Sequence, residues 1–421
     1  MLKSVNINFK DQDNKTFLHN VSTQNRVESI HWLVKQKINI DAVDNNGDSA
    51  LIIAARSGAG LAVKKLINLK ANPNIENKNG KMAIHEAAQN NQVECFNLLK
   101  KATKDLNKKD KENKSIVEYI IDTKNSALLN AILDDKNIVI DNTILFYDNI
   151  YKNNEILSLF IDKGFNLDIC DKDNKNVLFY LIKNGLLGYA LIEDLIGLGL
   201  DINHLDNFGN NLLLELVITL LANDSSSKKN ELSDNLLRLI PELIVLGIDS
   251  KAVNNEGDNI LTLAVKNKNL NLVKVLLHNE IETDIIDAKR ETALSIAAMI
   301  GKDVIEIIFL LLDYGASPNI PDIKNKTVIE KLIDAILLVK NKKRIKIQDR
   351  KLVDETQDYY IILEEVLANS EANLKQLNTH KEPYFFEALK YGNLNLVKLL
   401  IKNGADINQP ARNGLNVIYN F

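Results

Sequence analysis

An all-α solenoid of stacked helix pairs is the fold class this sequence predicts, and three observations predict it. First, an apolar phrase with helical spacing recurs along the chain. Its fullest copy runs from Gly392 to Asn408, with Leu396, Leu399 and Leu400 on one face and Gly404 placed to end the helix. Worn copies cover Ile30 to Asp41, Ala62 to Asn74, Val273 to Asp284 and Ile307 to Asn319. Second, a turn followed by a capping residue and an aliphatic residue precedes each helix of another kind. Third, the turns keep a period: Asp11, Asp44, Asn77 and Asp110 are about 33 residues apart, a spacing that belongs to repeat architectures.

The elements follow from this register. Thr16-Phe17-Leu18-His19 opens the first repeat, and Ser49-Ala50-Leu51, Met82-Ala83-Ile84, Ser115-Ile116-Val117 and Thr143-Ile144-Leu145 open the next four. Asn176, Asn211, Asn259, Thr292 and Thr327 head further copies; Pro383-Tyr384-Phe385 is a poor one, and Asn416-Val417-Ile418 starts another near the end. Asp and Asn bond their own backbone in the turn while Gly takes positive φ. Ser, Thr or Asn then caps the helix that follows. Small pairs such as Ala54-Ala55 and Ala87-Ala88 let neighbouring helices approach closely. A single pair cannot bury its apolar face, but stacked pairs share one core.

Irregular stretches are equally legible. The copy from Asp141 to Asp168 is short and its turn lacks Gly, which predicts a kink or a looser junction. The polar run from Asn223 to Asn230, inside an insertion over 222–234, reads as a loop between lengthened helices. Pro241 predicts a helix start or a kink. A larger insertion, around 340–353, reads as a helical hairpin from Thr327 to Ala368 with a basic tip. Trp32, the single tryptophan, falls on the second helix of the first repeat, where core packing is the expectation. A half repeat at Phe421 suggests either a degenerate cap or a chain that continues.

Here the residues carry a resemblance. Asp44 through Ala55 and Gly80 through Ala88, with His85 in the family's histidine position, resemble ankyrin repeats. The resemblance covers nearly the whole chain as one ankyrin-repeat solenoid of about eleven repeats plus a partial one, with short turns or hairpins between repeats. It departs from the family where most copies lack the Pro after Thr and only His19 and His85 keep the histidine. It implies a non-catalytic scaffold that grips a protein partner on its concave face, through turn tips and first-helix ends. By position these are Arg56, Lys81, Gln89, Lys289, Lys390 and Tyr391. Phe208, in a turn where a polar residue is expected, and Met299 with Ile300 are added as apolar anchors. The alternatives are the targeting arm of a longer enzyme or toxin, or a bacterial factor directed at a host cell.

Composition bounds the other classes. Hydrophobic residues make up 45% and charged residues 26% of 421, and Lys+Arg 52 against Asp+Glu 56 leaves −4, so no charge excess argues for nucleic acid or membrane. Heavy use of Asn, Lys and Ile fits an AT-rich bacterial genome. The N-terminus has no apolar signal region and no run is long enough to span a bilayer. A cytoplasmic protein, or one delivered into a host cell without a signal peptide, is expected. Cys95 and Cys170 are too few for a disulfide framework and too isolated for a zinc site; Cys95 reads as a buried thiol.

No catalytic constellation is found. His85-Glu86 lacks the second histidine of a zinc helix, Gly197-Leu198-Gly199 lacks the third glycine of a dinucleotide loop, and no phosphate-loop lysine is present. No enzyme activity, metal or cofactor is expected. Lys342, Lys343 and Arg344 at the hairpin tip are candidates for an anionic partner, weighed against a simple solvated loop.

Overall fold

The structure, a computed structural model, describes residues 7–185, 189–224, 231–343, 350–368 and 372–410. Among these residues every regular element is helical, apart from isolated bridges between Val43 and Ser49 and between Leu377 and Pro383. The chain divides into two compact units, Met1–Asp171 and Lys172–Phe421.

In the first unit the helices come in pairs: α1 (Phe17–Thr23) and α2 (Val27–Lys35), α3 (Ala50–Ser57) and α4 (Gly60–Asn68), α5 (Ala83–Gln89) and α6 (Val93–Lys100), α7 (Ile116–Asp122) and α8 (Ser126–Leu133). First helices stack on first helices, α1 on α3 on α5 on α7, and second helices stack likewise, α2 on α4 on α6. Ala54, Ala55, Ala87 and Ala88 are fully buried, so the small pairs sit where the helices approach. Apolar residues spaced three or four apart complete the core, for example Ala62, Val63 and Leu66 on α4.

The fifth repeat is the irregular one. Two 3-10 turns, Asn142–Phe146 and Asp148–Lys152, replace its first α-helix before α9 (Asn154–Asp162). Asp141 caps the first of them, its Oδ1 accepting from Thr143 N at 2.6 Å. Tyr151, fully buried, donates its hydroxyl to the Leu145 carbonyl and so ties the two turns together. The departure expected from the shortened copy is thus a change of helix type.

The second unit contains α10 (Val177–Asn184), α11 (Tyr189–Gly197), α12 (Leu212–Asp224), α13 (Glu231–Val245), α14 (Ile260–Lys266), α15 (Leu270–His278), α16 (Ala293–Ile300) and α17 (Ile305–Asp313). It closes with the long pair α18 (Val328–Lys343) and α19 (Arg350–Ala368), then α20 (Tyr384–Lys390) and α21 (Leu394–Lys402). The same alternation holds: α10, α12, α14, α16, α18 and α20 stack in turn, and α11, α13, α15, α17 and α19 form the second row.

Of the two readings of Pro241, the helix start is excluded: α13 runs through it, with Leu236, Leu239, Ile240 and Leu243 buried on both sides. One expectation needs correction. Trp32 is not a core residue. Trp32 is 57% exposed, while Ile30 and Leu33 carry the buried face of α2. Two residues past Ile30 is a rotation of roughly 200° about a helix, which points Trp32 away from α4. The tip of the 222–234 insertion and the last residues, with Asn416-Val417-Ile418, lie outside the described residues.

Candidate interaction surface

The turns are built by one device. Asp44 Oδ1 accepts from Asn46 N at 2.8 Å and from Asp48 N at 3.0 Å. Asn77, Asp110, Asp206, Asn254, Asp287, Asp322 and Asn378 do the same for the residues two and four places on. Tips of successive turns are joined by backbone bonds, as in Lys78 N to Asn46 O at 2.9 Å, Asn255 N to Phe208 O at 2.9 Å and Ile323 N to Lys289 O at 3.0 Å. The turn residues are therefore held in register, and their side chains project from a fixed backbone.

The two repeat histidines brace this ladder. His19 Nδ1 accepts from Thr16 N at 3.0 Å, so its Nε2 carries the hydrogen and donates to the Asp48 carbonyl of the next repeat at 3.0 Å. His85 repeats the pattern with Met82 N at 3.2 Å and the Lys108 carbonyl at 2.8 Å. Burial holds both imidazoles below their ordinary value, against the raising effect of those carbonyls. Neither histidine is poised as a ligand or a base.

Charged residues at turn ends and first-helix ends are largely tied to each other. Arg56, in the last turn of α3, donates from Nη1 to Asp48 Oδ2 at 2.7 Å and from Nε to Glu86 Oε2 at 2.8 Å. Asn77 Nδ2 donates to the other Asp48 oxygen at 2.9 Å. The bond to Glu86 is the largest influence raising the guanidinium's affinity for its proton. Lys81 Nζ donates to Gln89 Oε1 at 2.8 Å and stands 4.8 Å from the centre of the Tyr119 ring, which Lys114 approaches at 4.5 Å. Tyr119 donates its hydroxyl to Asp110 Oδ2 at 2.5 Å; burial, then that carboxylate, pushes its ionisation up. Lys114 pairs with Asp122, which also accepts from Tyr147 at 2.7 Å and Asn149 at 2.6 Å.

In the second unit Lys331 bridges Glu291 at 2.7 Å and Asp322 at 2.9 Å, joining two repeats. Lys175 pairs with Glu215 at 2.7 Å, and Lys266 pairs with Asp258. Other groups are left facing solvent. Phe208 is 57% exposed at its turn tip, with only its backbone engaged. Met299 is 37% exposed and Ile300 is part-exposed at the end of α16, before Gly301 at φ 87°. The exposed Lys289 side chain makes no bond among the described residues, although its backbone is held. Lys390, 3.8 Å from Glu387 and 5.7 Å from the Tyr391 ring centre, ends α20 beside Tyr391, which is 42% exposed.

The named residues therefore fall into two groups. Arg56, Lys81 and Gln89 are bound within the first unit; Phe208, Lys289, Met299, Ile300, Lys390 and Tyr391 are presented by the second. Tyr119 and Tyr147 were missed; Tyr119 follows the turn lysine Lys114 by five residues, a lysine its ring can accept, whereas Tyr147 meets the same lysine from the next repeat, which no local signal marks. Lys342 and Lys343 lie in α18 but their side chains, like the whole of Arg344, lie outside the described residues. Cys95 is buried, and burial pushes its thiol up to about 11, so it is inert; Cys170 is exposed. Among the described residues no group of three or more His, Cys, Asp or Glu could hold a metal ion, and no helix is long and apolar enough to cross a membrane.

A family model for three copies of the ankyrin repeat matches residues 1–77 and 230–322, and a single-repeat model matches 386–412. Between the matched stretches the Asp110, Asp206 and Asn378 turns make the same bonds, and the described helices pair in the same way except in the fifth repeat. Ankyrin repeats are protein–protein interaction modules in general. This chain carries ankyrin repeats, and its fold is the all-helical repeat solenoid that they build.

Proposed function

We propose that the chain is a non-catalytic scaffold that binds a protein partner on the concave face formed by turn tips and first-helix ends. The observation that carries this reading is the set of large apolar and aromatic side chains that the second unit presents at its turn and helix ends. Charges at the turns pair within both units, while the second unit also offers Phe208, Met299, Ile300 and Tyr391 to solvent, beside a turn backbone held in register by turn-to-turn bonds. Large apolar and aromatic side chains on a rigid surface make affinity without an ordering cost. Lys289, exposed on a turn, and Lys390, beside Tyr391 at the end of α20, favour a partner with acidic groups.

The test is capture of partners followed by mass spectrometry. Wild type is compared with a Phe208→Ala/Met299→Ala/Ile300→Ser variant that still melts cooperatively. The reading expects a protein held by wild type and lost by the variant. Equal capture by both would place binding elsewhere.

A further inference from the structure

The exposed face of the first repeat carries a groove of about 740 Å3 between α1 and α2, and no residue beyond Gln36 lines it. Phe17 and Val21 form one wall; Glu28, Trp32, Leu33 and Gln36 form the other. Glu28, Trp32 and Gln36 are spaced four apart, so they stand in one stripe along α2 with the indole between two polar groups. Phe9, outside the lining, stands behind Phe17 with ring centres 6.4 Å apart.

Three features give this groove a charge preference. Glu28 is its single ionised lining residue, and its carboxylate makes no hydrogen bond or ion pair among the described residues. Gln36 also keeps its side-chain carbonyl free of partners among them. Trp32, 57% exposed, has no lysine or arginine over its ring among the described residues, whereas Tyr119 has two lysines and Tyr391 one. An indole face beside an unpaired carboxylate suits a flat cation that stacks on the ring while donating to Glu28. That cation is a guanidinium; an ammonium has no plane to lay on the indole.

We propose that this groove is a second docking site, separate from the concave face, which takes an arginine side chain from an apolar segment of a partner protein. The guanidinium lies on Trp32 and donates to Glu28, and the flanking apolar side chains cover Phe17, Val21 and Leu33. The site uses none of the residues assigned to the concave face, so the two readings fail independently.

Trp32 is the chain's only tryptophan and reports directly. The full chain is titrated with a capped five-residue peptide, one arginine between two leucines on each side, while indole emission is followed. A second peptide carries citrulline, the neutral isostere, in place of arginine. Saturable emission change with the arginine peptide is expected, with affinity reduced roughly threefold to tenfold for citrulline and for Glu28→Gln. Glu28→Gln is an exposed, near-isosteric change that leaves folding intact. The Phe208→Ala/Met299→Ala/Ile300→Ser variant should titrate as wild type does. Equal response to both peptides, an unaltered affinity in Glu28→Gln, or no saturable change would each overturn the proposal.

Discussion

Arg56 shows how a residue that looks like a binding contact is spent inside the fold. It is the shared counter-ion of Asp48 and Glu86, whose side chains are only 2% and 7% exposed. Arg56→Ala would leave two buried carboxylates unpaired and should cost about 2 to 3 kcal/mol, read as a lower urea midpoint. Arg56→Lys should recover only part, since one ammonium cannot reproduce the two-sided fork. The histidines give a pH signature at the same scale. Burial depresses the folded-state value of His19 and His85 below the ordinary 6.5. Below about 6.5 the unfolded chain therefore takes up protons that the folded chain refuses, and stability falls as pH falls. Urea midpoints of wild type should drop between pH 7.5 and 5.5, and a His19→Gln/His85→Gln variant should show a smaller drop from a lower start.

The turn is the element on which the stack depends, and glycines separate its two roles. At Gly257, φ is +88° and an added Cβ would stand 2.1 Å from the Ala288 Cβ of the next turn. At Gly164 φ is +70°, with nothing within 4 Å of such a Cβ. Gly164→Ala should cost about 1 kcal/mol through the backbone alone, and Gly257→Ala roughly 3 kcal/mol or more because the turn-to-turn ladder must open as well. Thermal melts of the two variants check the ordering. The repeats themselves were legible because turn chemistry and apolar spacing are local: Asp44, Gly47 and Ser49 declare their roles within a few residues. The 3-10 turns of Asn142–Lys152 were legible only as an irregularity, since nothing in the short copy marks Tyr151 as the buried residue that ties the two turns together. Trp32 was misread on its hydrophobicity, although Glu28 and Gln36, four residues to either side, mark its stripe of α2 as the polar one. Pairing of surface charges was the least legible: Arg56 meets Glu86 across 30 positions, which only the stacking of α3 on α5 brings about.

At the scale of the whole molecule, each repeat leans only on its neighbours, so stability is expected to be distributed along the stack. The first unit has its own stacked core and its own internal ion pairs. Residues 1–171 expressed alone should give a helical circular dichroism spectrum and a cooperative melt; a spectrum of an unfolded chain would mean that this core needs the second unit. The central claim is that the exposed apolar groups of the second unit's turn and helix ends meet a protein partner. The most direct measurement places the photoreactive p-benzoylphenylalanine, which keeps the phenyl ring and extends it by a benzoyl group into solvent, at position 208, and at position 245 for comparison. Phe208 and Val245 are 57% and 76% exposed, so access alone does not favour the first. After irradiation in cells, one covalent adduct from position 208 and none from position 245 is the predicted result. Adducts from both positions alike, from 245 alone, or from neither would contradict it.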